Sequence, residues 1–161
     1  MGNTAQGIDF PGIGVDLKTT RYTQPQSSCP FKSARQKVFG LGYHLLVFVY
    51  DKSDDPKTKT ANLAIRHSLF IEKEHTADYT TTRRLRDMVG DGGNRDDIVA
   101  YLNDRNLPVD DIEAYRIADD VLATAPKQGY LTISNALQWR LQYGRAVSVA
   151  NSVVGVADLS S

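Results

Sequence analysis

Cysteine is almost missing from this sequence, which contains Cys29 and no other. A single cysteine can neither form an intramolecular disulfide nor supply the paired thiolates of a structural zinc site. Long apolar runs are missing as well, since the longest, at residues 45–50, is far shorter than the roughly 20 residues that a membrane-spanning helix needs. The N-terminus lacks the charged-then-apolar pattern of a secretory signal. Together these absences predict a cytoplasmic protein without membrane association.

An excess of either charge is also missing, because 19 basic residues balance 19 acidic ones. This balance argues against a surface that is basic all over, as many nucleic-acid-binding proteins have. The charges are unevenly distributed, however. Residues 1–95 carry 14 lysines and arginines against 10 acids, a net charge of +4, and residues 96–161 carry 5 against 9, a net charge of −4. A nucleic-acid site needs positive charge only where the phosphates lie, and the basic half provides it.

The stretch with the clearest chemistry is residues 8–20, with the sequence IDFPGIGVDLKTT. One carboxylate, Asp9, precedes a turn, and a second carboxylate and an amine, Asp16 and Lys18, follow it. Side chains alternate along a strand, so Asp16 and Lys18 project from the same face. The Pro-Gly-Ile-Gly turn at 11–14 can bring Asp9 back beside Asp16, because proline presets φ and glycine accepts the dihedrals of a tight turn. We therefore expect two carboxylates and an ammonium to converge, which suits a divalent cation beside a phosphate.

The order Asp9, turn, Asp16-Leu17-Lys18 resembles the signature of the PD-(D/E)XK nucleases. It looks most like that of type II restriction endonucleases and MutH-like mismatch-repair nicking enzymes, although a glutamate is commoner where Asp16 stands. The resemblance implies a restriction-endonuclease-like α/β (α+β) fold, in which a mixed sheet is flanked by helices. It also implies Mg²⁺-dependent hydrolysis of DNA phosphodiesters. Asp9, Asp16 and the Leu17 carbonyl would bind Mg²⁺. Asp9, Asp16 and Lys18 would be catalytic, with Lys18 orienting or deprotonating the attacking water.

Polar and basic side chains that follow the motif are candidates for contacts with DNA. The predicted DNA-binding residues are Gln24, Gln26, Ser27, Lys32, Arg35, Gln36, Arg83, Arg84 and Arg86. Gln36 falls on the polar side of a predicted helix, where many relatives of this fold carry a glutamine or lysine facing the site. The three arginines at 83–86 stand at a predicted helix start, where they oppose the helix dipole and favour a bound phosphate. For both, an ordinary solvated helix face is an equally good reading.

Hydrophobic periodicity divides the chain into a predicted nuclease core, residues 1–79, and a mainly helical extension, residues 80–161, packed on the core or continuous with it. The core pattern predicts a strand at 13–22, a loop at 23–28, a helix from Ser28 to about residue 39, a central strand at 43–50 covered on both faces, and a strand at 62–74. A helix between the first two strands implies that they pair in parallel. In the extension, helices are predicted at 82–89, 94–103, 110–125 and 134–142, and residues 147–158 are undecided.

One departure from the family pattern bears on activity. The superfamily core begins with a helix and a strand before the first aspartate, whereas only eight residues precede Asp9. The sequence therefore predicts a fragment of a longer enzyme, a misassigned start, a partner that supplies the missing piece, or a degenerate homologue that binds DNA without cutting it.

The leading hypothesis is a type II restriction endonuclease, or a piece of one, acting on double-stranded DNA. Its predicted partner is a second copy, making a homodimer, or the missing N-terminal segment. Three alternatives stay open: a mismatch-repair or junction nickase, a catalytically inactive DNA-binding or assembly subunit, and an α/β protein with a merely charged hairpin.

Overall fold

The computed structural model describes residues 8–30, 33–105, 107, 109–134 and 138–160 of the 161-residue chain. Its strands are β1 Val15–Arg21, β2 Gln26–Pro30, β3 His44–Asp55, β4 Thr60–Ile71, β5 Thr132–Ile133, β6 Gln138–Gln142 and β7 Val156–Asp158. Its helices are α1 Arg35–Phe39, α2 Tyr79–Gly90, α3 Arg95–Asp104, α4 Asp111–Ala123 and α5 Gly144–Val149, with a 3₁₀ turn at Lys73–His75. Within these described ranges, no helix has the length and apolar character needed to cross a membrane.

The larger sheet has the strand order β1-β3-β4-β7. β1 and β3 pair in parallel, as predicted from the helix between them, and the other two pairings are antiparallel. The predicted mixed α/β architecture is therefore confirmed. This pairing places β1 at the edge of the sheet. Asp16 and Lys18, which lie on β1, therefore have a neighbouring strand of this sheet on one side only.

The central strand β3 differs from its prediction in coverage and length. Leu45, Val47 and Val49 are fully buried, whereas the alternate residues Leu46 and Phe48 are only partly buried. The prediction that both faces are covered is therefore wrong, because an apolar run reveals hydrophobicity but not what packs on each side. The strand also continues beyond its predicted end at residue 50 as far as Asp55 and forms a hairpin with β4.

A second, three-stranded antiparallel sheet has the order β2-β6-β5. This sheet corrects two predictions. Strand β2 occupies the last part of the predicted loop at 23–28, and strand β6 lies among the residues described within the predicted helix at 134–142. The helix predicted from Ser28 is also shorter, because α1 begins only at Arg35. Exposed Arg140 and Gln142 alternate with buried Leu141. This period of two distinguishes a strand from a helix, but it is too short to decide from sequence alone.

The three long helices begin at polar caps. Asn94 and Asp97 form a reciprocal capping box at the start of α3, and the Asp110 carboxylate accepts the Glu113 amide at the start of α4. In α2 the cap is Asp78, so the helix begins three residues before its predicted start at residue 82. The helix therefore starts at Tyr79, and the arginines at 83–86 lie beyond its first turn. This removes the helix-dipole argument for a phosphate beside them.

Two hydrophobic clusters hold these elements together. One lies on the sheets and α5 and includes Leu45, Leu69 and Leu141, and the other joins α1 to α4 and includes Val38 and Ile117. Residues 147–158, undecided from sequence, contain the end of α5 and strand β7. The second half of the chain thus contributes strands to both sheets besides its helices. The division into two units at residue 79 stays a prediction.

Candidate functional site

The site begins with a tight turn that precedes β1. Phe10 and Val15 exchange both backbone hydrogen bonds, at 2.9 and 3.2 Å, and residues 11–14 make the reversal between them. Gly14 adopts φ +66°, a left-handed conformation that a residue with a Cβ enters only at a cost. The turn places Asp9, just before Phe10, beside Asp16, just after Val15.

Reciprocal hydrogen bonds hold the two aspartates together. The Asp9 amide donates to Oδ1 of Asp16 over 3.1 Å, and the Leu17 amide donates to Oδ2 of Asp9 over 2.9 Å. Each carboxylate therefore uses one oxygen to fix its position against the neighbouring backbone. Of the two remaining oxygens, Oδ2 of Asp16 faces the Lys18 amine, and Oδ1 of Asp9 takes no part in these two bonds.

Lys18 completes the arrangement from the same face of β1. Its Nζ lies 3.2 Å from Oδ2 of Asp16, whose side chain is only 7% exposed, while the Lys18 side chain is 26% exposed. The predicted meeting of two carboxylates and an amine is thus observed. The chemical roles assigned to Asp9, Asp16 and Lys18 stay predictions.

Hydrogen bonding sets the ionisation of Asp9. The Leu17 amide and, next, the Asp16 carboxyl lower the pKa of the Asp9 carboxyl from its ordinary value of 3.8; burial raises this pKa by less, and the charge of Lys18 lowers it slightly further. Asp9 is therefore negatively charged at neutral pH. A cation would meet an ionised ligand there.

The donor set fits a hard divalent ion. Mg²⁺ binds oxygen, keeps several of its waters and typically takes only one or two protein carboxylates. Asp9 and Asp16 supply two carboxylates, and the Leu17 carbonyl stands between Asp16 and Lys18 on the same strand. No group of three or more His, Cys, Asp or Glu side chains suited to a metal occurs in the described part of the chain. Any ion held here would accordingly be bound by these two aspartates, backbone oxygen and water.

Sequence reasoning missed one residue of this face, Thr20. It follows Lys18 by two residues, is 5% exposed, and binds the backbone of Gln26 with its hydroxyl, accepting from N over 2.8 Å and donating to O over 2.9 Å. The spacing 16, 18, 20 was the available signal. Thr20 ties the strand that carries the carboxylates to the second sheet.

Helix α1 places its predicted DNA-binding residues differently from expectation. Gln36 was expected on an exposed face but is 8% exposed, and its Nε2 donates to the Leu41 carbonyl. The five-residue helix packs that side inward, so the prediction of an exposed Gln36 is wrong. Its Oε1 has no hydrogen-bond partner in the described structure. Arg35 is bound to two acids of α4, Glu113 at 2.8 Å and Asp120. Lys32 lies outside the described residues.

The predicted loop contacts fall at the start of the second sheet. Gln24 is exposed before β2, and Gln26 lies within it. The Ser27 hydroxyl is hydrogen-bonded to the hydroxyl of Tyr143 at 2.5 Å. Ser27 therefore faces the protein interior, and Gln24 and Gln26 are the better placed of the three to meet a ligand.

The three arginines of α2 are exposed, and two of them contact other residues of the protein. Arg83 lies over the Tyr79 ring and donates to its hydroxyl, and Arg86 donates to the Pro126 carbonyl. Arg84 lines a surface cavity of about 480 Å³ that it shares with three acids, Asp91, Asp97 and Asp104. Arg83 and Arg86 thus make contacts within the protein, and the contact with phosphates predicted for the three arginines stays a prediction.

Comparison with known proteins gives the chain a family. The family model described as "Type II restriction enzyme NspV" matches residues 1–158. The type II restriction enzyme NspV of Nostoc sp. (strain ATCC 29411 / PCC 7524) is 58% identical over 156 residues, which are 97% of this chain and 71% of that protein. No solved structure matches the chain.

Proposed function

Because this chain belongs to the NspV family of type II restriction enzymes, we propose that it is a Mg²⁺-dependent endonuclease that hydrolyses phosphodiester bonds of double-stranded DNA. We further assign it to the PD-(D/E)XK superfamily, with Asp9, Asp16 and Lys18 as its catalytic residues. The observation that carries the proposal lies at the start of β1, where backbone hydrogen bonds hold the Asp9 and Asp16 carboxylates side by side and the Lys18 amine is ion-paired with Asp16.

The chemistry of the reaction matches what the three side chains offer. Hydrolysis requires a water in line with the departing oxygen and neutralisation of charge on the phosphate. Asp9 and Asp16 would hold Mg²⁺ with the Leu17 carbonyl, and the bound ion would act as a Lewis acid that also lowers the pKa of water. The amide of Asp9 donates to the Asp16 carboxylate and the amide of Leu17 donates to the Asp9 carboxylate, which fixes the separation of the two carboxylates before any ligand arrives.

Lys18 is placed to act on the phosphate and the water. Its ammonium is held at the site by Asp16 and keeps a quarter of its side chain open to solvent. In this position it can orient the attacking water and stabilise the negative charge that develops on the phosphate oxygens. Asp16 thus has a second task, because it fixes the direction of the Lys18 amine as well as binding the metal.

Cutting both strands of a duplex calls for two sites in opposite orientations. Two copies of the chain related by a two-fold axis present their sites in this way. We therefore include a homodimer in the proposal and place the enzyme in the cytoplasm, where its DNA substrate is found. Measurement of the mass of the protein bound to a short duplex tests the stoichiometry.

The decisive experiment is cleavage of plasmid and unmethylated phage DNA with Mg²⁺ or with a chelator. Wild type, Asp16→Asn and Lys18→Ala are compared, and Lys57→Ala is the matched control because Lys57 lies in the exposed β3–β4 turn. We expect discrete fragments from wild type and Lys57→Ala with Mg²⁺ only, and a loss of about a hundredfold or more in rate for the two site variants. Equal cutting by wild type and Lys18→Ala would remove Lys18 from its role. Selective binding without cutting by wild type would indicate an inactive DNA-binding subunit.

A further inference from the structure

The second sheet has two unlike faces. Ile133, Leu141 and Tyr143 are buried in the hydrophobic cluster that also covers the larger sheet. The opposite face carries polar side chains, which we call the polar face: Gln26, Ser28, Thr132, Arg140 and Gln142. All of them are exposed except Gln26, which is half-buried.

The strand register aligns the polar face in two rows. Gln142 lies between Gln26 on one neighbouring strand and Thr132 on the other, and Arg140 lies opposite Ser28. Residues directly opposite in an antiparallel pair point to the same side. The five side chains therefore form one patch across all three strands.

This patch is physically tied to the candidate catalytic strand. The Thr20 hydroxyl binds both backbone groups of Gln26. Thr20 lies on the same face of β1 as Asp16 and Lys18, and at about 3.3 Å per strand residue it stands about 13 Å from Asp16. That separation corresponds to roughly four base steps of DNA, which rise about 3.4 Å each. A duplex cut beside Asp16 would have its neighbouring base pairs within reach of the patch.

The composition of the patch suits base edges better than phosphates. A surface that binds the DNA backbone needs several lysines or arginines, whereas the polar face has one arginine and no acid. Glutamine amides pair with adenine and arginine with guanine in the major groove, and hydroxyls bind either. The major groove also admits β-strands. We propose that the polar face, centred on Arg140 and Gln142, reads the bases of the recognition sequence, an inference that rests on the proposed function.

The test measures discrimination between sequences. Sequencing the ends of wild-type fragments defines the target. Affinities are then measured, in an Asp16→Asn background that cannot cut, for the target duplex, a random duplex, and duplexes with each target base pair changed in turn. Arg140→Ala and Gln142→Ala are compared with Arg116→Ala on α4, whose side chain is 71% exposed, and with Asn103→Ala on the exposed side of α3.

We expect Arg140→Ala and Gln142→Ala each to weaken binding to the target by about ten- to a hundredfold, the usual discrimination from one bidentate contact. Binding to random duplex should change less than about threefold. Each variant should also tolerate changes at one or two base pairs that wild type rejects, which a general loss of folding would not produce. The two control variants should behave like the parent.

The outcomes separate this inference from the function on which it rests. If wild type cuts at a fixed sequence but both variants keep the parental discrimination at every base pair, the polar face does not read bases and the proposed function stands. Equal weakening on target and random duplex would make the patch a backbone contact, and the inference fails. If wild type neither cuts nor selects any duplex, both proposals fail together.

Discussion

The Asp9 amide and the Asp16 carboxylate are joined by a 3.1 Å hydrogen bond across the turn at 11–14. The return bond runs from the Leu17 amide to the Asp9 carboxylate. The distance between the two acids is therefore set by the turn as well as by β1. A change in the turn should alter the site without touching any of its functional groups.

Gly14→Ala is expected to weaken both the fold and the site. Gly14 has φ +66° and open space around its Cβ position, so the cost is backbone strain, about 1–2 kcal/mol, rather than a clash. Gly12→Ala is the matched control, because its Cβ would also meet nothing within 4 Å and its φ is not in the left-handed region. Chemical denaturation and cleavage rates should show a loss for Gly14→Ala alone. An equal loss for both variants would mean that the strain at Gly14 is not what matters.

Mg²⁺ should stabilise the protein through the two carboxylates. A ligand that binds only the folded state raises the free energy of unfolding by about 1.4 kcal/mol for each tenfold excess over its dissociation constant. Thermal unfolding with Mg²⁺ or NaCl at equal ionic strength should show this rise in wild type and in Asp54→Asn, whose side chain is 73% exposed in the β3–β4 hairpin. Asp16→Asn should lose it. A Mg²⁺ response that survives in Asp16→Asn would place the ion elsewhere.

Asp78→Ala should be among the most destabilising single substitutions. The Asp78 carboxylate is buried and accepts hydrogen bonds from the Thr81 amide, the Thr81 hydroxyl and the Ile133 amide. It also offsets the charge of Lys37, whose pKa is lowered by burial and raised by Asp78. Removing one partner from such a network costs about 3–5 kcal/mol.

The comparison for Asp78 is Asp110→Ala, which removes the exposed cap of α4. Loss of a simple helix cap costs about 1 kcal/mol. Urea denaturation of the two variants should therefore give clearly different midpoints. Similar midpoints would mean that Asp78 contributes no more to stability than a simple helix cap does.

Asp158 should give the fold a pH-dependent contribution. Burial raises the pKa of this carboxyl, but hydrogen bonds from His67 and from the Ser68 and Ser160 amides outweigh burial and leave the pKa below 3.8. A lowered pKa in the folded state adds stability above the ordinary value, and this stability is lost as the pH falls through the folded-state pKa. Asp158→Asn should thus be less stable than wild type at about pH 6, with a difference that shrinks below pH 3.8. A difference that stays constant on acidification would contradict this origin.

Sequence patterns predicted the structure correctly where the interacting residues lie close together along the chain. The alternation of strand side chains put Asp16 and Lys18 on one face, and the proline-glycine turn returned Asp9 to them. The parallel pairing of β1 with β3 followed from a similarly simple rule, that a helix joins the two strands. The patterns were insufficient for β6, where a five-residue strand and a helical turn have similar composition.

The sequence by itself determined where the candidate site lies, because a two-residue period and a four-residue turn fix positions within a few ångströms along the chain. The expected fold class came with the resemblance to known nucleases. Only the tertiary structure decided that Gln36 is buried, that Arg35 is bound to α4, and that β2 pairs with a strand more than 100 residues away, as the Ser27–Tyr143 contact at a separation of 116 residues illustrates. Such pairings depend on which surfaces the folded chain brings together, and no local pattern of residues specifies them.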